Sequence, residues 1–453
     1  MNKGTIQRVI EIFREAFSDL KVNIPMKDLE DMAVLVHRAM TLQTRHFHTL
    51  EHVFSFTSEA DPIQSLAALF HDIVYYQVDE GFIPEIHAII APFIHQTGEE
   101  ITLVSHLPTE ERVFQLTLEV FNFSPGRILS TFSGLNEFLS ALVMVKKLQG
   151  AVTDHNLLKM IVCIEATIPF QGKNERGETH FDILEQRLKN INEKYYCCLD
   201  PSEIVEALQL AVTFSNKDVE NFSEKYAGHF LDNTWKLLPE TNVALRSAEI
   251  YSIREYRQAL HKMEIFFSSL NPDNVFNQYH GVPSDRDYQQ MVQQAHHNIL
   301  TAREYLRIKL LSASVLEALA EITGGDAPLS LFAGDIRGEG EQFLGYEDFF
   351  SKPYESTPVD TTSTLYKLLY EGRPADTSFD MKTSPLSLFL FAKLSQIEII
   401  RLLELARHMF MNDLKPEQFL REIDHPVVAA ISKASAQMIA TRREKLIEFA
   451  RSL

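Results

Sequence analysis

Cysteine is scarce in this chain: 453 residues carry three, Cys163, Cys197 and Cys198. Neighbouring cysteines rarely bridge each other, and no C-x-x-C spacing occurs. A disulfide framework and a thiolate zinc or redox site are both excluded as the organising chemistry. Glycine is also sparse, with 17 residues, which argues against an all-β chain built on tight turns. No apolar run approaches the ~20 residues of a membrane helix. The opening stretch MNKGTIQRVIEIFREAF mixes charges into its apolar positions and reads as an amphipathic helix, not a signal peptide. Basic residues are outnumbered 43 to 62, a formal charge of −19. Repulsion at each phosphate then disfavours nucleic acid as a partner. Reduced thiols, no membrane partner and a cytoplasmic location are the expectation.

Helical periodicity fills much of what is there. Asp61-Pro62 is an N-cap followed by proline at the first helical position, opening a helix whose apolar face holds Leu66, Leu69, Phe70 and Ile73. Asp200-Pro201-Ser202-Glu203 repeats the signal as a capping box, with a helix expected to run to about Phe222. Further amphipathic stretches cover 28–42, 154–168, 254–270, 286–321, 386–411 and 427–450. Six of the glycines fall within 324–345. With the Pro, Ser and Thr that follow, residues 324–363 read as a surface loop or linker. Gly324-Gly325-Asp326 lacks a following G-K-[ST], so it reads as loop and not as a phosphate cradle.

The residues that bear chemistry sit early. His48 and His52, in RHFHTLEHVFSF, are four apart and would share one helical face. About one helix later His71-Asp72 interrupts an apolar helical pattern. Asp72 follows Ala68 and Leu69 by four and three residues, so its carboxylate should point inward. A buried carboxylate is costly without compensation, and a cation is the simplest one. Imidazole and carboxylate donors suit a borderline or hard divalent ion. The bland alternative is a pair of hydrogen-bonded core histidines and a satisfied aspartate; the joint occurrence on successive segments favours the metal.

These segments resemble the HD superfamily of metal-dependent phosphohydrolases, marked by a histidine, a His-Asp doublet and a remote aspartate on helices. The nearest likeness is to a branch with R-x-Y-H-x-x-x-H and W-F-H-D-x-V-Y helices. Here these stand as Arg45-His46-Phe47-His48 with His52, and as Phe70-His71-Asp72-Ile73-Val74-Tyr75. The resemblance implies His52, His71 and Asp72 as ligands and His48 as a candidate general acid. Arg45 is a second candidate for neutralising the scissile phosphate, with a surface helix residue as its alternative. Asn136-Glu137 with Ser140-Ala141 resembles a segment that follows the doublet in that branch, displaced by an insertion over 79–132. Glu137 would then act as base or orienting group, or else be a surface glutamate at a helix start. For the remote ligand, Asp218 is preferred because it keeps the residue type, and Glu165 is the alternative. No histidine follows the doublet at H-D-x-x-H, where Val74-Tyr75 stand, which argues against a dinuclear oxygenase-type iron centre.

The expected fold is all-α: an HD-domain-like helical bundle over 1–225, a helical extension over 226–323, the linker, and a C-terminal helical region over 364–453. Residues 386–411 are apolar enough for one central helix, and homo-oligomerisation through the C-terminal helices is a further expectation. The resemblance implies hydrolysis of a phosphoester or phosphoanhydride in a nucleotide or small phosphorylated metabolite, with Mn, Mg, Fe, Co, Ni or Zn as cofactor. The rival functions are a non-enzymatic HD-like ligand-binding or signalling protein, and a metal-dependent oxidoreductase or lyase on the same scaffold.

Overall fold

Capping side chains set where the helices begin. A computed structural model of the chain describes residues 4–57, 61–106, 111–247, 250–333, 345–350, 360–375, 377 and 379–453. They form two compact units, Met1–Ser223 with Asn271–Ala295, and Glu224–Leu270 with His296–Leu453. The first unit holds α1 (Thr5–Asp19), α2 (Met26–Met40), α3 (Leu50–Phe56), α4 (Pro62–Phe70), α5 (Tyr76–Asp79), α6 (Pro84–Ile90), α7 (Arg112–Val120), α8 (Leu135–Leu148), α9 (Asp154–Glu165), α10 (His180–Tyr195) and α11 (Pro201–Asp218). Asp61 accepts from the Ile63 amide and Asp200 from the amides of Ser202 and Glu203, so both helices start where the sequence places their caps.

The core of this unit centres on α9, which packs against α4, α8 and α11. Leu158, Met160, Ile161, Val162 and Ile164 are fully enclosed on all sides of it. A helix apolar all round belongs in a core, and each such side chain contributes roughly 1.5–3 kcal/mol on burial. Residues 79–132 hold, besides α6 and α7, a small antiparallel sheet in the order β1 (Ile94–Thr97), β2 (Glu100–Leu103), β3 (Ile128–Leu129). Thr97 pairs with Glu100 across a tight turn at Gly98, whose φ is +63°. These short strands are a minor addition to a predominantly helical fold.

Two details position functional side chains. Helix α8 begins at Gly134, which sits at φ +87°, and a Cβ there would lie 2.6 Å from Ile168 Cδ1. The left-handed backbone and the crowding by Ile168 both favour glycine, and the turn it makes sets Glu137 in the first turn of α8. The end of α11 is held by Asn216, which donates to Asn277 O and accepts from Asn277 N, each at 2.8 Å. The returning segment Asn271–Ala295 therefore fixes the place of Asp218.

The second unit contains α12 (Ala227–Trp235), α13 (Leu237–Thr241), α14 (Ile253–Ser269), most of α15 (Asp285–Thr323), α16 (Leu329–Ala333), α17 (Thr364–Glu371), α18 (Pro385–Lys393), α19 (Gln396–Phe410), α20 (Pro416–Arg421), α21 (His425–Met438) and α22 (Arg443–Ser452). Its polar centre is buried Asp380, which accepts from Trp235 Nε1 at 2.7 Å, Tyr256 Oη at 2.8 Å and Lys309 Nζ at 3.1 Å. Residues 386–411 form two helices, not one, because Ser395 caps α19 through the Glu398 amide. Likewise 427–450 divides into α21 and α22. The helix from Pro201 stops at Asp218, before the expected Phe222, and Glu220–Ser223 is a 3-10 turn. Gly324 and Gly325 close α15 by donating to Ala320 O. Of the expected linker, 334–344 and 351–359 lie outside the described residues.

Candidate metal centre

The histidines and aspartates singled out in the sequence come from three segments. His52 lies in the first turn of α3, His71 is the residue capping the C-terminus of α4, Asp72 follows it, and Asp218 ends α11. The doublet therefore stands at a helix end and not inside a helix. His48 likewise precedes α3 in irregular chain, with Thr49 as the N-cap, so the expected shared helical face does not form. The His48 and His52 rings still meet edge to face at 6.2 Å.

One donor atom each from His52, His71, Asp72 and Asp218 lies within 4.8 Å of all the others. His52 Nε2 is 3.1 Å from Asp218 Oδ1, and His71 Nε2 is 3.1 Å from Asp72 Oδ2. The crossed pairs, His52 with Asp72 and His71 with Asp218, are both 3.7 Å. Donors bound about 2.1 Å from a common ion stand about 3.0–3.4 Å apart at right or tetrahedral angles, so the spacing suits a shared cation. His71 Nδ1 donates to Ala68 O at 2.8 Å, which directs the Nε2 lone pair into the cluster. His71 Nε2 and Asp72 Oδ2 are enclosed and have no hydrogen-bond partner. Orphaned donors of this kind fit a bound ion. Phe56 and Phe214 pack on the His71 ring at 4.8 and 5.8 Å and close the apolar side.

Electrostatics point the same way. Both aspartates sit at helix C-termini, where the macrodipole places partial negative charge that disfavours a carboxylate. Burial would raise the Asp72 carboxyl, but the nearby His71, His48 and His52 outweigh it and hold it well below the usual range. Asp218 is lowered against its own burial by His52 and His71. His71, for which burial works downward, is raised by Asp72 and Asp218. Positive charge is what the pocket demands.

Glu137 stands beside this group. Its Oε2 is enclosed and has no hydrogen-bond partner, and burial, reinforced by Asp72 and Asp218, pushes its carboxyl up to about 8. Asn136 and Ser140 of the same helix bind the stretch after the doublet, accepting from Tyr76 N at 3.0 Å and Val74 N at 3.1 Å. Two other sequence candidates are engaged elsewhere. Glu165 accepts from His180 Nε2 at 2.8 Å and Arg187 Nη1 at 2.9 Å and is not in the cluster. Arg45, buried, pairs with Asp79. Sequence reasoning gave no role to Tyr75, whose ring stacks on His48 at 4.2 Å, or to Asp79 and Asn216. Their roles depend on contacts across the chain that no local spacing signals.

Fold and site together define a predominantly helical protein with a two-histidine, two-aspartate group that could hold a metal ion. Among the described residues, no helix is long and apolar enough to cross a membrane. No family model matches the chain, and no curated protein or solved structure matches it either.

Proposed function

We propose that the chain is a metal-dependent phosphohydrolase of HD type, acting on a phosphoester or phosphoanhydride of a nucleotide or another small phosphorylated metabolite. The observation that carries this reading is the convergence of two helix C-terminal carboxylates and two imidazoles on one point. His52, Asp72 and Asp218 retain 13%, 15% and 20% side-chain exposure, so the cluster opens to solvent. A divalent ion held there would supply Lewis-acid polarisation of a phosphoryl oxygen and a water that ionises near neutral pH. The chain's own groups do the rest. Glu137 would orient the attacking water while its enclosed carboxyl holds a proton and, once ionised, would accept the water's proton. His48, stacked on Tyr75, would donate a proton to the departing oxygen.

Elemental analysis of the purified chain, with phosphate release from phosphomonoesters, cyclic nucleotides and nucleoside polyphosphates, tests this. Bound metal and turnover are expected in the wild type, and both should disappear in Asp72→Ala. Stoichiometric metal retained by Asp72→Ala would sink the assignment. So would a fully metal-loaded chain that turns over none of these substrates with redox-inert Mg²⁺ or Zn²⁺.

A further inference from the structure

Arg45 is enclosed, with no exposed side-chain surface, and Asp79 is 7% exposed. The guanidinium grips Asp79 in a fork, Nε to Oδ1 at 2.8 Å and Nη2 to Oδ2 at 2.6 Å. Its remaining nitrogen, Nη1, donates to the Asp72 carbonyl at 2.7 Å and contacts Met40 Sδ at 2.9 Å. Asp79 Oδ2 in turn accepts from the Tyr75 amide at 3.3 Å. One ion pair thus holds three points: the chain leading to His48 and His52, the backbone of the doublet, and the residue stacked on His48.

A buried ion pair is a weak stabiliser of a fold, because desolvation consumes most of its attraction. Geometry is what this one supplies. The Asp72 carbonyl lies just beyond the C-terminus of α4, where helix carbonyls lack intrahelical partners and the dipole favours a cation. Fixing that carbonyl fixes the Asp72 Cα, and with it the direction of the carboxylate. Lysine cannot reproduce the arrangement, since a single ammonium does not match a planar fork reaching two partners.

We infer that Arg45 and Asp79 are a positioning pair for the metal group, setting His71 and Asp72 against His52 without touching substrate. This rests on the metal reading above. All nitrogens of the guanidinium face protein groups, so Arg45 cannot meet a phosphate without breaking the pair.

Titration of the full chain with Co²⁺, followed by equilibrium dialysis and the visible absorbance of the bound ion, tests it. Arg45→Lys and Asp79→Asn should each weaken Co²⁺ affinity about 10- to 100-fold, the usual effect of losing an outer partner of a ligand, and alter the absorbance. Glu165→Gln, which loosens a separate buried ion group in the same unit, should lower thermal stability yet leave affinity and spectrum unchanged. Should Arg45→Lys fail to fold, Asp79→Asn carries the comparison. A wild type that takes up no Co²⁺ removes the metal reading and the pair together. A wild type that binds, beside folded variants within about twofold of it, leaves the metal and overturns the pair. Unchanged affinity with a raised KM would return Arg45 to substrate binding and also overturn it.

Discussion

Glu165→Gln separates a structural carboxylate from a metal ligand, and its size can be worked from the contacts. Glu165 is 3% exposed, and its partners His180 and Arg187 are 4% and 22% exposed. Breaking a buried ion group costs about 3–5 kcal/mol. Arg187 keeps some contact with water and also donates to Val120 O, so the lower end, about 3 kcal/mol, applies. For a unit of this size roughly 2–4 °C of melting temperature follows each kcal/mol, giving a loss of about 6–12 °C. The pH dependence has a definite sign. Burial would raise Glu165, but His180 and Arg187 prevail and hold it below its ordinary 4.5. The unfolded chain therefore binds the extra proton first, and the stability from this carboxylate is present above pH 4.5 and lost as pH falls through the folded value. The gap between wild type and Glu165→Gln should narrow below about pH 4.5. Calorimetry with far-ultraviolet circular dichroism is the assay, since the single tryptophan, Trp235, lies in the other unit. A loss under ~2 °C, or a gap unchanged between neutral pH and pH 3, refutes the reasoning.

Glu137→Gln should stabilise the metal-free chain relative to wild type increasingly as pH rises from about 4.5 to about 8, because the folded state holds a proton there that the unfolded state has released. Urea denaturation in the presence of chelator at several pH values measures it, and a gain independent of pH would count against a buried neutral carboxyl. In the second unit, Lys309→Met should cost about 3 kcal/mol, the low end for a broken buried pair because Arg373 still faces Asp380. Trp235 fluorescence should report an earlier unfolding transition, since its Nε1 donates to the same carboxylate. An unmoved midpoint would show that Lys309 adds nothing to that cluster.

Legibility followed the range of the forces involved. Capping at Asp61 and Asp200 is decided within four residues, so those helix starts stood in the sequence. The break at Ser395 obeys the same chemistry, but a continuous apolar run over 386–411 hid it. The sheet was not legible, because its strands are two to four residues long and the Gly98-Glu99 turn lacks the Asn-Gly or Asp-Gly signal of tight hairpins. In the site, the residue types were readable while their backbone was not. Periodicity put His48 and Asp72 on helices, whereas both lie just beyond helix ends, where tertiary contacts such as Arg45 to the Asp72 carbonyl decide the conformation. The choice between Asp218 and Glu165 could be posed from patterns alone. Glu165 finds its cation partners on α10, a contact that sequence spacing does not encode.

Position relative to helix ends separates this group, which could hold a metal ion, from the buried clusters around Asp380 and Glu165. Asp380 and Glu165 are surrounded by arginine, lysine or histidine donors that match their charge. Among the described residues, the ion pairs of Asp72 and Asp218 are with histidines, and each carboxylate also meets the negative end of its own helix. One of those imidazoles, His71, has already committed Nδ1 to a backbone carbonyl. Without an ion, Asp72 and Asp218 raise His71 well above the ordinary imidazole range, so a proton there offsets part of the charge, and that compensation is lost as pH rises. At neutral pH a divalent cation balances both carboxylates at once and leaves both imidazoles neutral, as ligands must be. Chelation should therefore destabilise the first unit more at pH 8 than at pH 5.5, and equal losses at the two values would contradict this balance of charge.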